Sequence, residues 1–219
     1  MDIVACTGFH LRRYYPPDYA LFDADPHSAC ELFITELRDH LAETNGSATP
    51  VCAGFIKIAC EATLEGSPVH LIEAAVRASL ATGAGIEVHT EQGADADRIA
   101  RAMLDFGLPP GKLVLCHVDK RPDLALHREL AQQGILLEYD TFYRPKYDPE
   151  RHLWPLLENM IEAGLTQHVA IATDMADAAM WSTLGNGPGL TGLFTQIIPR
   201  LHLLGCDAAT VRQLTGENI

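Results

Sequence analysis

Short β-branched runs keep giving way to longer stretches of helical spacing, and this alternation of two periods constrains the chain more than any single residue does. The spacing predicts strands over residues 2–6, 51–58, 85–89, 112–117, 135–139 and 168–173. It predicts helices over 28–43, 68–82, 95–106, 122–133 and 152–163, and two more near 190–204 and 207–214. Nearly continuous apolar strands separated by helices mean a parallel sheet covered by helices, either doubly wound or wound into a (β/α) barrel.

The polar residues separate these two architectures. Lys57, His89, His117 and Asp174 each stand at or just past the C-terminal end of a different strand, the face on which barrel enzymes build their sites. The turn after the first strand, Thr7-Gly8-Phe9-His10, lacks the phosphate-binding glycine fingerprint of a doubly wound sheet. The reading is therefore α/β, of the (β/α)8 TIM-barrel type, with about six β/α units where closure takes eight. Two strand–helix units are expected to be absent from the N-terminus, as in a fragment or a late start codon. Residues 1–219 otherwise read as one domain without repeats or low-complexity segments.

Charge narrows the classes of partner. Sixteen Lys and Arg against 29 Asp and Glu give a formal charge of −13, which repels phosphate backbones and anionic lipid alike. Nucleic-acid and membrane-surface binding are excluded as expectations. No apolar stretch reaches the roughly 18 residues of a membrane span, and no signal-peptide pattern opens the sequence, so a cytoplasmic location is expected. The six cysteines show no CxxC or zinc-knuckle spacing and are read as reduced and structural.

Two histidines, an aspartate and a lysine at strand ends suit a divalent metal such as zinc, for which imidazole and carboxylate are ordinary ligands. An ammonium cannot bind a metal. A neutral amine, however, can add carbon dioxide to become a carbamate, which is a bridging carboxylate. Read alone, Lys57 also fits a Schiff-base lyase, since such enzymes place a buried lysine at a barrel strand end. The other histidines, His10, His27, His40, His70, His127, His152, His168 and His202, are read as hydrogen-bonded structural residues.

The runs Ala53-Gly54-Phe55-Ile56-Lys57-Ile58, Glu87-Val88-His89-Thr90-Glu91, Leu115-Cys116-His117-Val118-Asp119 and Ala170-Ile171-Ala172-Thr173-Asp174-Met175 resemble strands four, five, six and eight of the phosphotriesterase family, within the amidohydrolase superfamily. Ile3-Val4-Ala5-Cys6-Thr7-Gly8-Phe9 resembles that family's third strand. The resemblance implies a hydrolase with two divalent metal ions, zinc being the expected metal, bridged by an N-carboxylated Lys57. It also implies that His89 and His117 bind the more exposed ion. It further implies that Asp174 binds the buried ion and takes the proton of the attacking hydroxide. The family's first strand supplies a His-x-His pair, and this sequence contains none.

The resemblance also implies a small-molecule substrate, a lactone or an organophosphate ester, and a homodimer. The segment Arg144-Pro145-Lys146-Tyr147 resembles the branch that opens phosphorylated sugar lactones, which implies substrate-binding roles for Arg144, Lys146 and Tyr147. Asp177 and Met180 stand where that branch carries an arginine and a tyrosine, so an unphosphorylated lactone or ester is expected. Tyr14 and Tyr15, in the loop after the first strand, are expected to wall the substrate pocket. The alternative is a truncated, non-catalytic remnant of such an enzyme.

Overall fold

The computed structural model describes residues 3–219, so Asp2, at the head of the expected first strand, lies outside the described residues. The contacts divide the chain into two compact units, Met1–Leu115 and Cys116–Ile219.

The first unit contains β1 (Cys6–Gly8), α1 (Pro26–Arg38), β2 (Phe55–Ala59), α2 (Val69–Thr82), β3 (Ile86–His89), α3 (Ala96–Asp105) and most of β4 (Leu113–Cys116). β1, β2 and β3 pair in parallel in chain order, with Gly8 beside Lys57, Lys57 beside Glu87, and Ala59 beside His89. Alternation then sorts the side chains by face. Ile56, Ile58, Ile86 and Val88 are fully buried, and α2 packs on both β2 and β3. Each such side chain contributes about 1.5–3 kcal/mol by leaving water. The opposite face carries Lys57, Glu87 and His89.

Local signals fix the helix ends. Asp25 caps α1 by accepting from the backbone N–H groups of His27 (2.9 Å) and Ser28 (3.1 Å), and Pro26 supplies the preset φ of the first turn. α2 stops at Gly83, whose φ of +81° is the left-handed conformation that glycine adopts freely.

Several of the predicted elements shift. The first strand occupies Cys6–Gly8 rather than 2–6, and Ile3 and Val4 are 83% and 65% exposed. The second begins at Phe55 rather than at 51, for a related reason: the Val51 carbonyl accepts from Leu41 and the Ala53 N–H donates to Glu36, so that stretch spends its backbone groups on the end of α1 and the loop after it. The same Leu41 contact turns the chain away after Arg38, where periodicity alone carried α1 to 43.

The second unit contains α4 (Leu124–Gln132), β5 (Leu136–Tyr139), α5 (Leu153–Glu162), β6 (Val169–Ile171), α6 (Ser182–Gly185), α7 (Ile198–Leu203) and α8 (Ala208–Arg212). β5 and β6 are parallel, with Leu137 beside Val169 and Tyr139 beside Ile171. Both strands are buried along their length, as covered parallel strands are. The helix predicted over 190–204 divides into a wide π turn at Leu193–Ile197 followed by α7. Pro199, lacking an N–H, interrupts the regular ladder there.

Candidate metal centre

In the first unit, the register of β2 and β3 places Lys57 and His89 on one face. Glu87 stands directly beside Lys57, and its carboxylate forms an ion pair with the Lys57 ammonium. Glu87 was not among the expected site residues, although its position two before His89 put it on the same face. The His89 ring lies 4.8 Å from that of His10, which in turn meets Tyr14 edge-on at 5.0 Å. The His10 and His89 rings are tilted by 53°, and Nδ1 of His10 accepts from the backbone N–H of Leu11 at 2.8 Å. The backbone N–H of His10 donates to the Tyr15 hydroxyl at 2.8 Å. Arg13 pairs with Glu91 at 2.9 Å, and Glu91 lies 3.8 Å from Nε2 of His89.

In the second unit, His117 and Asp174 come together with a residue that sequence reasoning passed over, Asp140. One donor atom from each of the three lies within 4.8 Å of the others. His117 (φ +65°) and Asp174 (φ +38°) adopt left-handed backbone conformations, uncommon outside glycine and concentrated where a side chain must be aimed. Nδ1 of His117 stands 2.5 Å from Oδ2 of Asp140. Asp140 is 0% exposed, and no donor aligns in hydrogen-bond geometry with either of its carboxylate oxygens. The signal that could have found it is the rule that found the others, since it directly follows the strand predicted over 135–139.

Beside it, Asp119 is nearly as buried, and of its two oxygens only Oδ2 is hydrogen-bonded. Its Oδ2 accepts from the backbone N–H of Asp140 (3.2 Å), the N–H of Thr141 (2.9 Å) and the Thr141 hydroxyl. Burial pushes the Asp119 carboxyl above the usual carboxylate range, against the stabilising bonds from Thr141. Asp140 is pushed well above that range, first by burial and then by the charges of Asp119 and Asp174, with Lys120 opposing.

The expected substrate residues of this unit flank two clefts. Arg144 and Lys146 line one of about 530 Å³ with Tyr143, Asp177, Asn186 and Gly187. The other, about 240 Å³, is lined by Lys146 and Tyr147 with Lys120 and His152. Arg144 also donates to Asp174, at 2.7 Å to the backbone carbonyl and 3.0 Å to the carboxylate. Lys146 rests over the Tyr147 ring at 4.7 Å. Imidazole nitrogen with carboxylate oxygen is a donor set for a divalent transition metal, and the buried Asp140 oxygens are consistent with one.

Known proteins share this arrangement of elements. The E. coli phosphotriesterase homology protein, solved with phosphate in its active site, has a TM-score of 0.89 at 21% identity over 100% of this chain and 73% of its own. The lactonase Lmo2620 of Listeria monocytogenes has a TM-score of 0.87 at 22% identity, over 99% and 71%. The fold is thus the α/β, TIM-barrel type of these proteins. In sequence, a phospho-furanose lactonase of Mycoplasmopsis synoviae is 24% identical over 230 residues, 99% of this chain and 65% of the relative. The E. coli homology protein is 26% identical over 222 residues, 100% and 73%. The chain thus spans about two thirds of the length of such relatives. The pattern that defines the phosphotriesterase family matches residues 1–219, and the chain belongs to that family.

Proposed function

We propose that this chain belongs to a metal-dependent hydrolase that opens lactones or cleaves organophosphate esters. The observation that carries the reading is the convergence of His117, Asp140 and Asp174, with donor atoms within 4.8 Å of one another. Family membership and relatives named as lactonases support the reaction class. By family resemblance, Lys57, with its amine N-carboxylated, and His89, His117 and Asp174 are the residues that would hold divalent ions, zinc by the chemistry of the donors. When bound, such ions lower the pKa of water and polarise a carbonyl or phosphoryl oxygen.

The chain's own residues then divide the remaining work. Asp174 accepts the proton of the attacking water and returns it to the leaving alkoxide as the ring or ester C–O or P–O bond breaks. Arg144 holds Asp174 in place through its guanidinium. Arg144, Lys146 and Tyr147 bound the clefts where the substrate body lies, and Tyr14, edge-on to His10, gives the His89 side an aromatic wall. An unphosphorylated lactone or ester is the favoured substrate, because Asp177 and Met180 line the larger cleft where the phosphate-binding branch carries an arginine and a tyrosine.

The test is elemental analysis of protein purified with zinc and bicarbonate, alongside assays on a panel of lactones and a phosphotriester. Zinc bound by the parent and reduced by Lys57→Ala, with lactone hydrolysis lost in step, is the expected result. A parent chain that binds no zinc and hydrolyses nothing in the panel overturns the reading. Borohydride trapping of Lys57 by a carbonyl substrate would replace it with a Schiff-base lyase.

A further inference from the structure

Resting on the reading that Arg144, Lys146 and Tyr147 bound the substrate clefts, we infer that Arg200 is a positioning residue for that segment, clamping it through Trp154 and Glu150. Between β5 and α5 the chain runs through successive tight turns. The Arg144 N–H donates to the Thr141 carbonyl at 2.9 Å, that of Tyr147 to Arg144 at 2.9 Å, and that of Asp148 to Pro145 at 3.0 Å. Asp148 has a φ of +46°, a left-handed conformation that costs a residue other than glycine. Turns of this kind keep their own shape, and the two feet of the segment decide where Lys146 and Tyr147 stand.

Both feet rest on Trp154, in the first turn of α5. At the entry, the Phe142 ring meets the indole edge-on, with centroids 5.0 Å apart and planes at 69°. At the exit, the Pro149 carbonyl accepts from the Trp154 N–H at 2.9 Å. Both aromatic side chains are buried. Arg200 closes the arrangement from α7. Its guanidinium carbon lies 3.9 Å from the indole centroid, and its Nη1 pairs with Glu150, the neighbour of Pro149. Leu201, 0% exposed, fixes the roll of α7 and so the side from which Arg200 reaches out.

The two contacts differ in strength. Glu150 is 70% exposed, and an exposed ion pair by itself contributes little. A planar guanidinium stacked on a buried indole contributes more, and lysine does not reproduce the stack. Arg144 is tied independently by its own bonds to Asp174. The residues that depend on the clamp are therefore Lys146 and Tyr147, which act on substrate binding rather than on the bond-breaking step.

The experiment uses the full chain loaded with zinc. Steady-state kinetics on a lactone and limited trypsin digestion, read as cleavage after Lys146, are compared for the parent, Arg200→Gln, Arg200→Lys and Glu150→Gln. Arg212→Gln is the control for loss of a surface arginine, since Arg212 pairs with Glu217 at 3.1 Å on α8. Arg200→Gln is expected to raise KM roughly 3–30-fold and to speed cleavage after Lys146 by about the same factor, with kcat and zinc content near the parent's. Glu150→Gln, which leaves the stack in place, should raise both by no more than about fivefold. Arg200→Lys should fall between the two, and it decides the matter if Arg200→Gln does not fold. A lowered melting temperature with parent-like KM and cleavage, the pattern expected of Arg212→Gln, would make Arg200 a merely structural residue and overturn the assignment. Loss of kcat and zinc in step with KM would overturn it as well. A parent that hydrolyses no lactone overturns the hydrolase reading alone, and cleavage after Lys146 still decides whether Arg200 holds the segment.

Discussion

Arg144 grips Asp174 at two points, donating from the same NH2 group to the backbone carbonyl at 2.7 Å and to the carboxylate at 3.0 Å. Asp174 has a φ of +38°, so the grip holds a residue whose backbone would otherwise relax. Lysine carries the charge without the planar fork. Arg144→Lys is expected to lower kcat for lactone hydrolysis by roughly 10–100-fold while zinc content stays near the parent's. Steady-state kinetics with metal analysis on the same preparation checks it, and parent-like kcat would show that the grip has no part in the reaction.

Thr141 donates twice to the buried Oδ2 of Asp119, from its N–H and its hydroxyl. Thr141→Val keeps the shape and the backbone donor but removes one bond to a carboxylate that burial already disfavours. A loss of about 1.5–3 kcal/mol in unfolding free energy is expected. Urea unfolding at neutral pH measures it, and a change below about 0.5 kcal/mol would mean that the hydroxyl bond is idle.

His127 and Tyr139 form a fully buried pair, with the Tyr139 hydroxyl 2.6 Å from Nδ1. Nε2 faces the Arg121 carbonyl at 3.0 Å, which can only accept, so Nε2 carries the proton and Tyr139 donates to Nδ1. Burial lowers the His127 pKa below the ordinary histidine value, with the Arg121 carbonyl opposing. The unfolded chain therefore binds the proton more readily. Stability from the neutral pair is complete above about pH 6.5 and is lost as pH falls below it toward the folded value. Unfolding free energy measured between about pH 7.5 and 5 should decline with acidity, and the decline should flatten in His127→Gln. His168, also lowered by burial, leaves a residual slope of the same sign.

Gly8 has a φ of +118°, and a Cβ there would lie 2.0 Å from the carbonyl oxygen of Lys57. Gly8→Ala is therefore expected to push β1 off β2 at the residue beside Lys57, costing about 1–3 kcal/mol for the backbone strain alone. Thermal melts and zinc content should fall together. Unchanged zinc at a lowered melting temperature would show that the β1 contact is separable from the Lys57 position.

The sequence revealed the alternation and the strand ends better than the strand beginnings. Lys57, His89, His117 and Asp174 were legible because each terminates or follows an apolar run, a pattern that survives errors of a few residues. Ile3 and Val4 misled because β-branched residues carry strand propensity whether or not a partner strand is there, and β1 pairs only from Cys6. Asp140 was missed because Asp-Thr after an apolar strand reads as a turn. Its place emerges only in the fold, which brings it to His117 and Asp174, 23 and 34 residues away in the chain.

The pairing of Gly8, Lys57 and Glu87 across three strands acts as a ruler for chain length. Because side chains change face at every residue, loss of a single amino acid within Phe55–Ala59 turns Lys57 from the polar face to the face packed by α2. Insertions and deletions are thus tolerable in the long connections and forbidden in a five-residue strand, so sequence drift in this chain should accumulate as changes of loop length.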